Sequence, residues 1–447
     1  MAPDNDTIVV NSNVRSRKGA MEEKQAQSKK RKASNVVIHQ NGRNESADKP
    51  SKKMKSSDGP ETELDTSRPT AIFKPTKARD WTVSIALPGS WLNNAKKPDL
   101  KTVQVGRIAR CASIYCVDEI VVYDDDPMNI DLKVVSPRYA RGRKGKKSKQ
   151  EILDSILEED EPWQNPDQFM NHVLSFAECP PHLRMKLFQK HKNLEQAGVL
   201  PSMDMPHHLR SHEWCQYREG VITGPAPAPA STAGKSKRKT ASSEDLEYAY
   251  IDCGLPHPVR VPVPLKATVE AGMRTTIRFA NTDPPSSWPH LSQAECDTLE
   301  VTACTNSLPR EEGGYYWGYT VRRATSLSSV FTDSDHPDGY DLTMGTSERG
   351  VPVHSILPGN MSASHNKVLG SFKHLLLVFG GVAGIEPAVA NDPVLAEKGL
   401  GKNNAEELFD AWVDLVPGQG SRTIRTEEAV HSGLSSLKPW IDSMYDA

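Results

Sequence analysis

Short, nearly unbroken runs of apolar residues recur along this chain, and most of them are followed by glycine or proline. Leu375–Phe379 is apolar at every position, which is typical of a parallel strand whose sheet is covered on both faces. Runs of this kind predict strands at Thr82–Leu87, Glu119–Tyr123, Tyr340–Met344, His374–Phe379 and Ala411–Val416. A further segment, Gly318–Phe331, is expected to lead into a helix.

Helical periodicity separates several of these strands. After the first strand, Ile108, Ala112 and Tyr115 recur at the spacing of one helix face, so we predict a helix over Asp99–Tyr115. Further helical segments, the first of them interrupted by a Pro-Pro pair, are predicted at Asp167–Ala197 and Thr423–Leu437. The strand–helix–strand order favours a parallel sheet.

The pattern changes between Glu213 and Thr305, where short β-type runs alternate with Gly, Pro and Asn turns. Four of these runs predict strands, at Tyr248–Ile251, Val259–Val263, Thr275–Phe279 and Leu299–Ala303. Their spacing indicates a small barrel inserted into the α/β region. We therefore divide the chain into a first α/β part over residues 80–212, the barrel over 213–309 and a second α/β part over 310–447.

Residues 1–79 are rich in Ser, Lys and Asn and contain few apolar side chains, so we expect a disordered tail. Its two basic clusters, Lys29–Lys32 and Lys52–Lys55, predict nuclear import signals, although a merely solubilising tail would have a similar composition. Residues 124–165 contain a basic stretch and then an acidic one, and we expect them to form a mobile charged insertion.

Composition excludes some classes of protein. The formal net charge of −2 predicts no particular partner, and no apolar run approaches the ~18 residues of a membrane-spanning helix. The seven cysteines form no C-x-x-C pair, so neither a disulfide framework nor a zinc ribbon is expected. His207, His208 and Cys215 lie close together but match no common zinc spacing, and we predict no metal site.

Three glycine-bearing loops follow the last three predicted strands, at Gly345–Gly350, Gly380–Glu386 and Pro417–Ala429. Ligands of open α/β sheets bind beyond the carboxyl ends of the strands, and glycine lets the main chain approach a ligand closely. We therefore predict one pocket lined mainly by backbone amides and carbonyls. Taken alone, each loop is better explained as an ordinary strand-to-helix turn, and only the three together favour a ligand site.

The three loops and several upstream segments together resemble eukaryotic SPOUT-class RNA methyltransferases that carry an inserted β-barrel. The matching stretches upstream are Trp81–Ser90, Gly106–Arg110, Val117–Tyr123 and Tyr316–Arg322. The resemblance implies an α/β, SPOUT-like fold with a deep trefoil knot that holds S-adenosylmethionine (SAM). It also implies that the inserted barrel is OB-like and that the protein is a dimer of identical or paralogous subunits.

With that resemblance, the loops supply candidate residues for cofactor binding and catalysis. The cofactor-binding candidates are Gly345, Thr346, Gly380, Gly381, Gly384, Pro417, Gly418, Gln419, Gly420 and Ile424. The catalytic candidates are Arg349, Arg422 and Glu386. A guanidinium group can contact phosphate or stabilise an anion that develops on a base, and a carboxylate can face the sulfonium or accept a proton. The alternatives are that the arginines only form ion pairs with Glu348, Glu427 or Glu428, and that Glu386 is a helix cap or a surface carboxylate.

Positive charge outside the three loops predicts contact with RNA. The candidates are Arg110, Arg141, Arg143, Lys144, Lys237 and Arg238. Arg110 would act across a subunit interface, whereas the other five lie in basic segments that are equally compatible with solvated loops. An OB-like surface binds single strands by stacking bases on aromatic rings and by following the phosphates with positive charge.

The expected function is SAM-dependent methyl transfer to a large nuclear RNA such as pre-ribosomal RNA, in the nucleus and its nucleolus. The resemblance implies uridine N3 as an acceptor. The alternative is a ribosome-assembly or RNA-scaffolding factor that has kept the fold without catalysis. An adaptor role at the mitotic spindle is suggested by analogy with animal relatives alone.

Overall fold

The computed structural model describes residues 77–129, 139, 141–142, 145–157, 165–210, 212–228, 246–264, 270–358 and 368–446. The predicted tail lies outside these residues except for its last three positions, and so do both of its basic clusters. Part of the predicted charged insertion also lies outside them.

The strands of the described chain are β1 (Thr82–Pro88), β2 (Glu119–Tyr123), β3 (Arg141–Gly142), β4 (Gly145–Lys146), β5 (Tyr217–Ala226), β6 (Leu246–Asp252), β7 (Val259–Pro264), β8 (Arg274–Phe279), β9 (Val301–Cys304), β10 (Thr320–Ala324), β11 (Leu342–Pro352), β12 (His374–Val378) and β13 (Ala411–Asp414). The α-helices are α1 (Pro98–Ile114), α2 (Lys149–Leu153), α3 (Pro166–Glu178), α4 (Pro181–Leu187), α5 (Gln293–Thr298), α6 (Leu308–Glu311), α7 (Leu327–Thr332), α8 (Val353–Ile356), α9 (Glu386–Asn391), α10 (Pro393–Glu397) and α11 (Thr426–Ser443). Short 3₁₀ turns occur at Gly89–Asn94, Lys192–Leu194, Ala197–Val199 and Ala405–Leu408.

Six parallel strands form the larger sheet, in the spatial order β10–β2–β1–β12–β11–β13. The five strands predicted from apolar runs all lie in it, which confirms the prediction of a parallel sheet. Every residue of β1 is buried, because α1, α3 and α11 cover one face of the sheet and α7, α9 and α10 cover the other. A strand buried on both faces gains from apolar residues at every position, which is the pattern that the sequence contains.

Five antiparallel strands form a second sheet, in the order β7–β6–β5–β8–β9. Its two edge strands contribute to one interior, since Val261 of β7 and Val301 of β9 belong to the same buried apolar cluster. The sequence predicted four of these strands and missed β5. The reason is that β5 contains Arg218 and Glu219, which are charged and yet 2% exposed, so the strand has no apolar run.

The predicted helix over Asp167–Ala197 is divided by its Pro-Pro pair into α3 and α4, and 3₁₀ turns follow. Pro181 is the first residue of α4, where a missing N–H costs nothing because no partner is available inside the helix. Cys179, the residue before Pro180, has extended backbone, so α3 ends at Glu178. The predicted position of the interruption is therefore correct. The second helix is shorter than predicted, because it ends at Leu187 and not near Ala197.

A buried ion-pair hub joins α3 to the antiparallel sheet. Arg274 on β8 donates to both oxygens of Glu178 at 2.6 and 2.9 Å, and its Nε donates to Glu219 at 2.7 Å. Trp317 Nε1 and Thr276 Oγ1 each donate to the other oxygen of Glu219 at 2.6 Å. Burial by itself would raise the pKa of Glu178, but the charges and hydrogen bonds of Arg274 and His207 together outweigh burial and hold that pKa well below its ordinary value.

Candidate functional site

The carboxyl ends of β12, β11 and β13 are adjacent in the sheet, and the segments that follow them surround one cavity of about 300 Å³. This is the edge of a parallel sheet at which ligands bind in open α/β folds. The three glycine-bearing segments predicted from the sequence therefore meet at one place.

The first segment is not the free loop that the sequence predicted. β11 continues to Pro352, and both Thr346 and Val351 pair with Val413 of β13, so the residues between them bulge out of the strand. Gly350 is required at this bulge, because a Cβ there would lie closer than 3.0 Å to the backbone of Val413. Gly345 lies before the bulge, where a Cβ would collide with the ring of Trp412. Because Gly345 has no side chain, the ring of Trp412 can pack against its backbone. Gly345 itself does not line the cavity.

The second segment makes a tight turn directly beside the cavity. The amide of Gly384 donates to the carbonyl of Gly381 at 3.2 Å, and the φ of Gly384 is +84°, in the left-handed region that favours glycine. A Cβ on Gly380 would come closer than 3.0 Å to the backbone of Gly384 and Ile385. Glycine at these positions therefore sets the shape of the cavity wall.

A buried tyrosine anchors this second segment to the sheet. The hydroxyl of Tyr123, at the end of β2, donates to the carbonyl of Phe379 at 2.8 Å. Burial raises the pKa of the Tyr123 phenol, so the hydroxyl keeps its proton and remains a donor.

The third segment contributes only some of its predicted residues. The amide of Gln419 donates to the carbonyl of Val416 at 3.2 Å, and Gly418 lies inside this turn with a φ of +73°. The glycine thus permits the turn but does not line the cavity, and neither does Pro417 or Gly420. Further along, the Oγ1 of Thr426 donates to the carbonyl of Gly380 at 3.3 Å and joins the second and third segments.

A buried carboxylate occupies the wall of the cavity. Glu386 is 6% exposed, and one of its oxygens, Oε1, accepts hydrogen bonds from Arg349 and from Ser347, the latter at 3.3 Å. Among the described residues its other oxygen, Oε2, has no hydrogen-bond partner. A buried carboxylate oxygen without a hydrogen-bond donor destabilises the folded protein, so a ligand that donates to Oε2 would bind favourably here.

The cavity brings together nine of the thirteen residues that the sequence nominated for cofactor binding and catalysis. Those that line it are Thr346, Gly380, Gly381, Gly384, Gln419, Ile424, Arg349, Arg422 and Glu386. Those outside its lining are Gly345, Pro417, Gly418 and Gly420. Glycine and proline mark a turn without indicating which of its residues faces inwards, and this is why four of the thirteen do not line the cavity.

Two side chains next to the cavity were missed by the sequence reasoning. Ser90, after β1, donates to Oδ2 of Asp125, after β2, at 2.5 Å. Both lie against Gly381, at ordinary contact distance from the place where its Cβ would stand. Burial raises the pKa of Asp125, an effect that the hydrogen bond from Ser90 opposes. Polar residues directly after two adjacent strands were the signal that could have indicated them.

The RNA candidates lie away from this cavity or outside the described residues. Arg110 donates to the carbonyl of Met203 at 2.6 Å and so has a partner within its own chain. Arg141 is in β3, but the position of its side chain is not described. The candidates outside the described residues are Arg143, Lys144, Lys237 and Arg238.

His207 and His208, which the sequence placed close to Cys215, have hydrogen-bond partners within the protein. The Nε2 atoms of His207 and His208 both lie within hydrogen-bond distance of the carbonyl of Glu178, at 3.1 and 2.6 Å. Within the described ranges, no group of three or more His, Cys, Asp or Glu side chains is arranged to hold a metal ion. No helix in the described part of the chain has the length and apolar composition to cross a membrane.

A larger open cleft of about 1200 Å³ lies at the opposite edge of the sheet, where β1, β2, β10 and β12 begin, and extends to β8 and β9. Its buried carboxylates are neutralised within the fold: Asp118 pairs with Arg79 and Arg310, and Glu119 pairs with Arg322. The smaller cavity is the better candidate for the functional site, because its wall contains Oε2 of Glu386, which is buried and has no donor among the described residues.

Comparison with known proteins gives a family match over most of the chain. A family described as Putative RNA methyltransferase matches residues 82–437. The chain is also 36% identical over 372 residues to a Homo sapiens protein named 28S rRNA (uridine-N(3))-methyltransferase, covering 83% of this chain and 81% of that protein. It is 37% identical over 364 residues to the Mus musculus protein of the same name, covering 81% of this chain and 77% of that protein.

Among solved structures, the chain has a loose likeness to the SpoU methyltransferase AviRb from Streptomyces viridochromogenes in complex with the cofactor AdoMet. The likeness covers 31% of this chain and 42% of that chain, at 17% identity and with a TM-score of 0.19. A superposition this loose carries no argument about the fold or the ligand.

Proposed function

The chain belongs to the family described as Putative RNA methyltransferase, and from that premise we propose that it methylates N3 of a uridine in ribosomal RNA with SAM as methyl donor. The names of the human and mouse relatives support the choice of substrate, because both relatives are similar to this chain over about four-fifths of its length. The observation within the chain that carries the proposal is the buried Oε2 of Glu386, which has no donor among the described residues and lies beside a cavity formed by three strand ends.

The residues of the cavity fit a cofactor with a positively charged methionine part. Glu386 would accept from that part through Oε2, while Gly380, Gly381 and Gly384 would let main-chain groups approach the nucleoside. Ile424 supplies a partly exposed apolar side chain for the adenine ring. When bound, SAM supplies a methyl group already activated by its positive sulfur, so no metal is needed. What remains for the protein is positioning and electrostatic stabilisation.

Replacing Glu386 with Gln should weaken SAM binding about tenfold, which corresponds to about 1.4 kcal/mol. Glutamine has nearly the same shape but carries no negative charge to attract a cation. Its NH₂ group would either face the donor of the ligand or take the place of the oxygen that accepts from Arg349. Calorimetric titration of SAM and of S-adenosylhomocysteine checks this. A loss for both ligands assigns Glu386 to the ammonium group, and a loss for SAM alone assigns it to the sulfonium.

Glu397→Gln is the matched control for this experiment, because it makes the same chemical change at an exposed glutamate on α10. It should leave both affinities at the wild-type value. If Glu386→Gln binds both ligands as tightly as wild type does, Glu386 does not contact the cofactor.

Arg349 is the candidate for stabilising the reacting base. Its side chain is 66% exposed at the cavity and is held by Glu386, so the guanidinium has donors to spare on the open side. The imide N3 of uridine would give up its proton to a base or to water, and the negative charge of the resulting anion would be shared with the adjacent carbonyl oxygens. As the N3–CH₃ bond forms, the S–CH₃ bond of SAM would break and S-adenosylhomocysteine would leave. A guanidinium directed at those oxygens would stabilise that charge.

Arg349→Ala should lower the rate constant of methyl transfer about tenfold while changing the affinity for SAM less, because the anion forms only during reaction. Single-turnover methylation of ribosomal RNA, measured beside SAM titration, tests this. Arg349→Lys, which keeps the charge without the planar fork, should recover part of the rate. Equal losses of rate and of SAM affinity in the alanine variant would mean that Arg349 only holds the cofactor wall.

Several finer features belong to the same proposal. A trefoil knot is supported by the position of β12, which enters the sheet between β1 and β11 although it comes after both in the chain. An OB-like barrel is supported by the strand order β7–β6–β5–β8–β9 and by the interior that its edge strands share. The dimer and the nuclear, nucleolar location rest on the resemblance and on the basic clusters of the tail.

A further inference from the structure

An open groove of about 760 Å³ is lined by the end of α3, by α4 and by the segment that follows α4. We call it the α3–α4 groove. Its lining includes Phe176, Arg184, Met185, Phe188, Lys190 and Lys192. None of them belongs to the cavity formed by the three strand ends.

Partly exposed aromatic rings line the groove. Phe188 stacks on His172 with ring centroids 5.9 Å apart and an interplanar angle of 23°, and Phe176 packs edge-on against Phe188 at 5.3 Å. Met185 on α4 is 88% exposed, which is unusual for a large apolar side chain. The groove thus offers flat and adaptable apolar surface to a ligand.

Positive charge surrounds these rings. The charged side chains that line the groove in the described chain are Arg184, Lys190, Lys192 and Glu195. Lys192 pairs with Glu195 at 3.2 Å, and the guanidinium of Arg184 lies 4.8 Å from the centre of the Phe176 ring. Arg184 also donates to the carbonyls of Ala177 and Cys179 at 3.1 and 3.0 Å, which fixes its position. The formal charge of this set, three cations and one anion, is +2.

The position of the groove relates it to the proposed reaction site. Asp167, in the first turn of α3, lies against Gly89 at the carboxyl end of β1, which is the edge that contains the cofactor cavity. From there the 13 residues of α3 lead away to the groove. At 1.5 Å per residue the helix spans about 20 Å, a distance that a few nucleotides of extended RNA can cover.

We propose that the α3–α4 groove binds a single-stranded segment of the RNA substrate that flanks the methylated nucleotide. This inference rests on the proposed function for the identity of the substrate. Aromatic rings on which bases stack, interleaved with lysine and arginine, are the chemistry by which proteins hold single-stranded RNA. A protein ligand would need acidic side chains placed opposite these cations, whereas single-stranded RNA carries a phosphate at every nucleotide.

The full chain and a fluorescein-labelled oligo(U) of about 12 nucleotides provide the test. Met185→Glu and Lys190→Glu each introduce negative charge at an exposed position, so neither should disturb folding. The double variant should bind the oligonucleotide about tenfold more weakly by fluorescence anisotropy. Because a lysine–phosphate contact has been removed, the slope of log affinity against log salt should fall by about one.

Lys402→Glu is the matched control, since it makes the same change at an exposed lysine in the loop after α10 and should bind as wild type does. Calorimetric SAM affinity, measured on every variant, separates this proposal from the proposed function. Weaker RNA binding with unchanged SAM affinity supports the groove even if no methylation is detected. Oligonucleotide affinity and salt slope equal to wild type would overturn it, including the case in which the groove instead binds a protein.

Discussion

Gly380→Ala should lower the affinity for SAM at least about 100-fold, or about 2.7 kcal/mol. A methyl group on Gly380 would lie closer than 3.0 Å to the backbone of Gly384 and Ile385, and those atoms cannot swing aside as a flexible side chain would. The turn from Gly381 to Gly384 must open to admit it, which moves the cavity wall and the adjoining Glu386. Calorimetric titration of SAM, with circular dichroism to establish folding, measures the effect.

Gly370→Ala is the control for the substitution itself. A Cβ at Gly370 would meet no atom within 4 Å, so the methyl group should be accepted and SAM affinity should be unchanged. A folded Gly380→Ala protein that binds SAM as tightly as the Gly370→Ala protein does would remove the second loop from the proposed cofactor site.

Arg274→Met should lower the free energy of unfolding by about 3 to 5 kcal/mol near neutral pH. The variant removes the guanidinium partner of two buried carboxylates, so that among the described residues Glu178 keeps only His207, at 2.9 Å, and Glu219 keeps two neutral donors. An unpaired buried charge costs more than the pair contributes, because its desolvation is no longer offset. Urea denaturation followed by tryptophan fluorescence provides the measurement.

The direction of the pH dependence follows from the lowered pKa of Glu178 in the folded protein. A carboxylate whose pKa is lower when folded stabilises the protein above its unfolded pKa of about 4.3, and this stability is lost as the pH falls towards the folded pKa. The difference between wild type and Arg274→Met should therefore be largest near neutral pH and should shrink below about pH 4.

Arg278→Met provides the comparison on the same strand. Arg278 pairs with Glu312 at 2.9 Å, but these side chains are 39% and 52% exposed, so its loss should cost less than about 1 kcal/mol. If the two methionine variants unfold at the same urea concentration, the hub does not hold α3 to the antiparallel sheet in the way described.

Local pattern was enough to locate most of the larger sheet. β2 begins and ends where the apolar run predicted, and β1 and β12 each end within one residue of the prediction. These strands are buried on both faces, so nearly all of their residues are apolar and the run is visible in the sequence. β5 was missed for the opposite reason, because its buried Glu219 pairs with Arg274 and accepts a hydrogen bond from Trp317, and both residues are distant from it in sequence.

For the candidate site, the sequence identified the three segments but not the role of each residue. Glycine indicates that the chain needs an unusual conformation or a close approach, and it does not indicate which atoms are approached. Gly380 and Gly384 shape the cavity wall, whereas Gly345 makes room for Trp412 and Gly418 only permits a turn. The distinction depends on neighbours that come from other strands.

By itself, the sequence determined the parallel strands, the inserted β-rich region and the family, because these depend on apolar periodicity and on residue types within short segments. Only the tertiary structure decided that β12 lies between β1 and β11 and that Ser90 donates a hydrogen bond to Asp125. It also decided that one oxygen of Glu386 is buried with no donor among the described residues. Burial and pairing arise when distant segments pack together, and no local pattern of residues encodes which segments those will be.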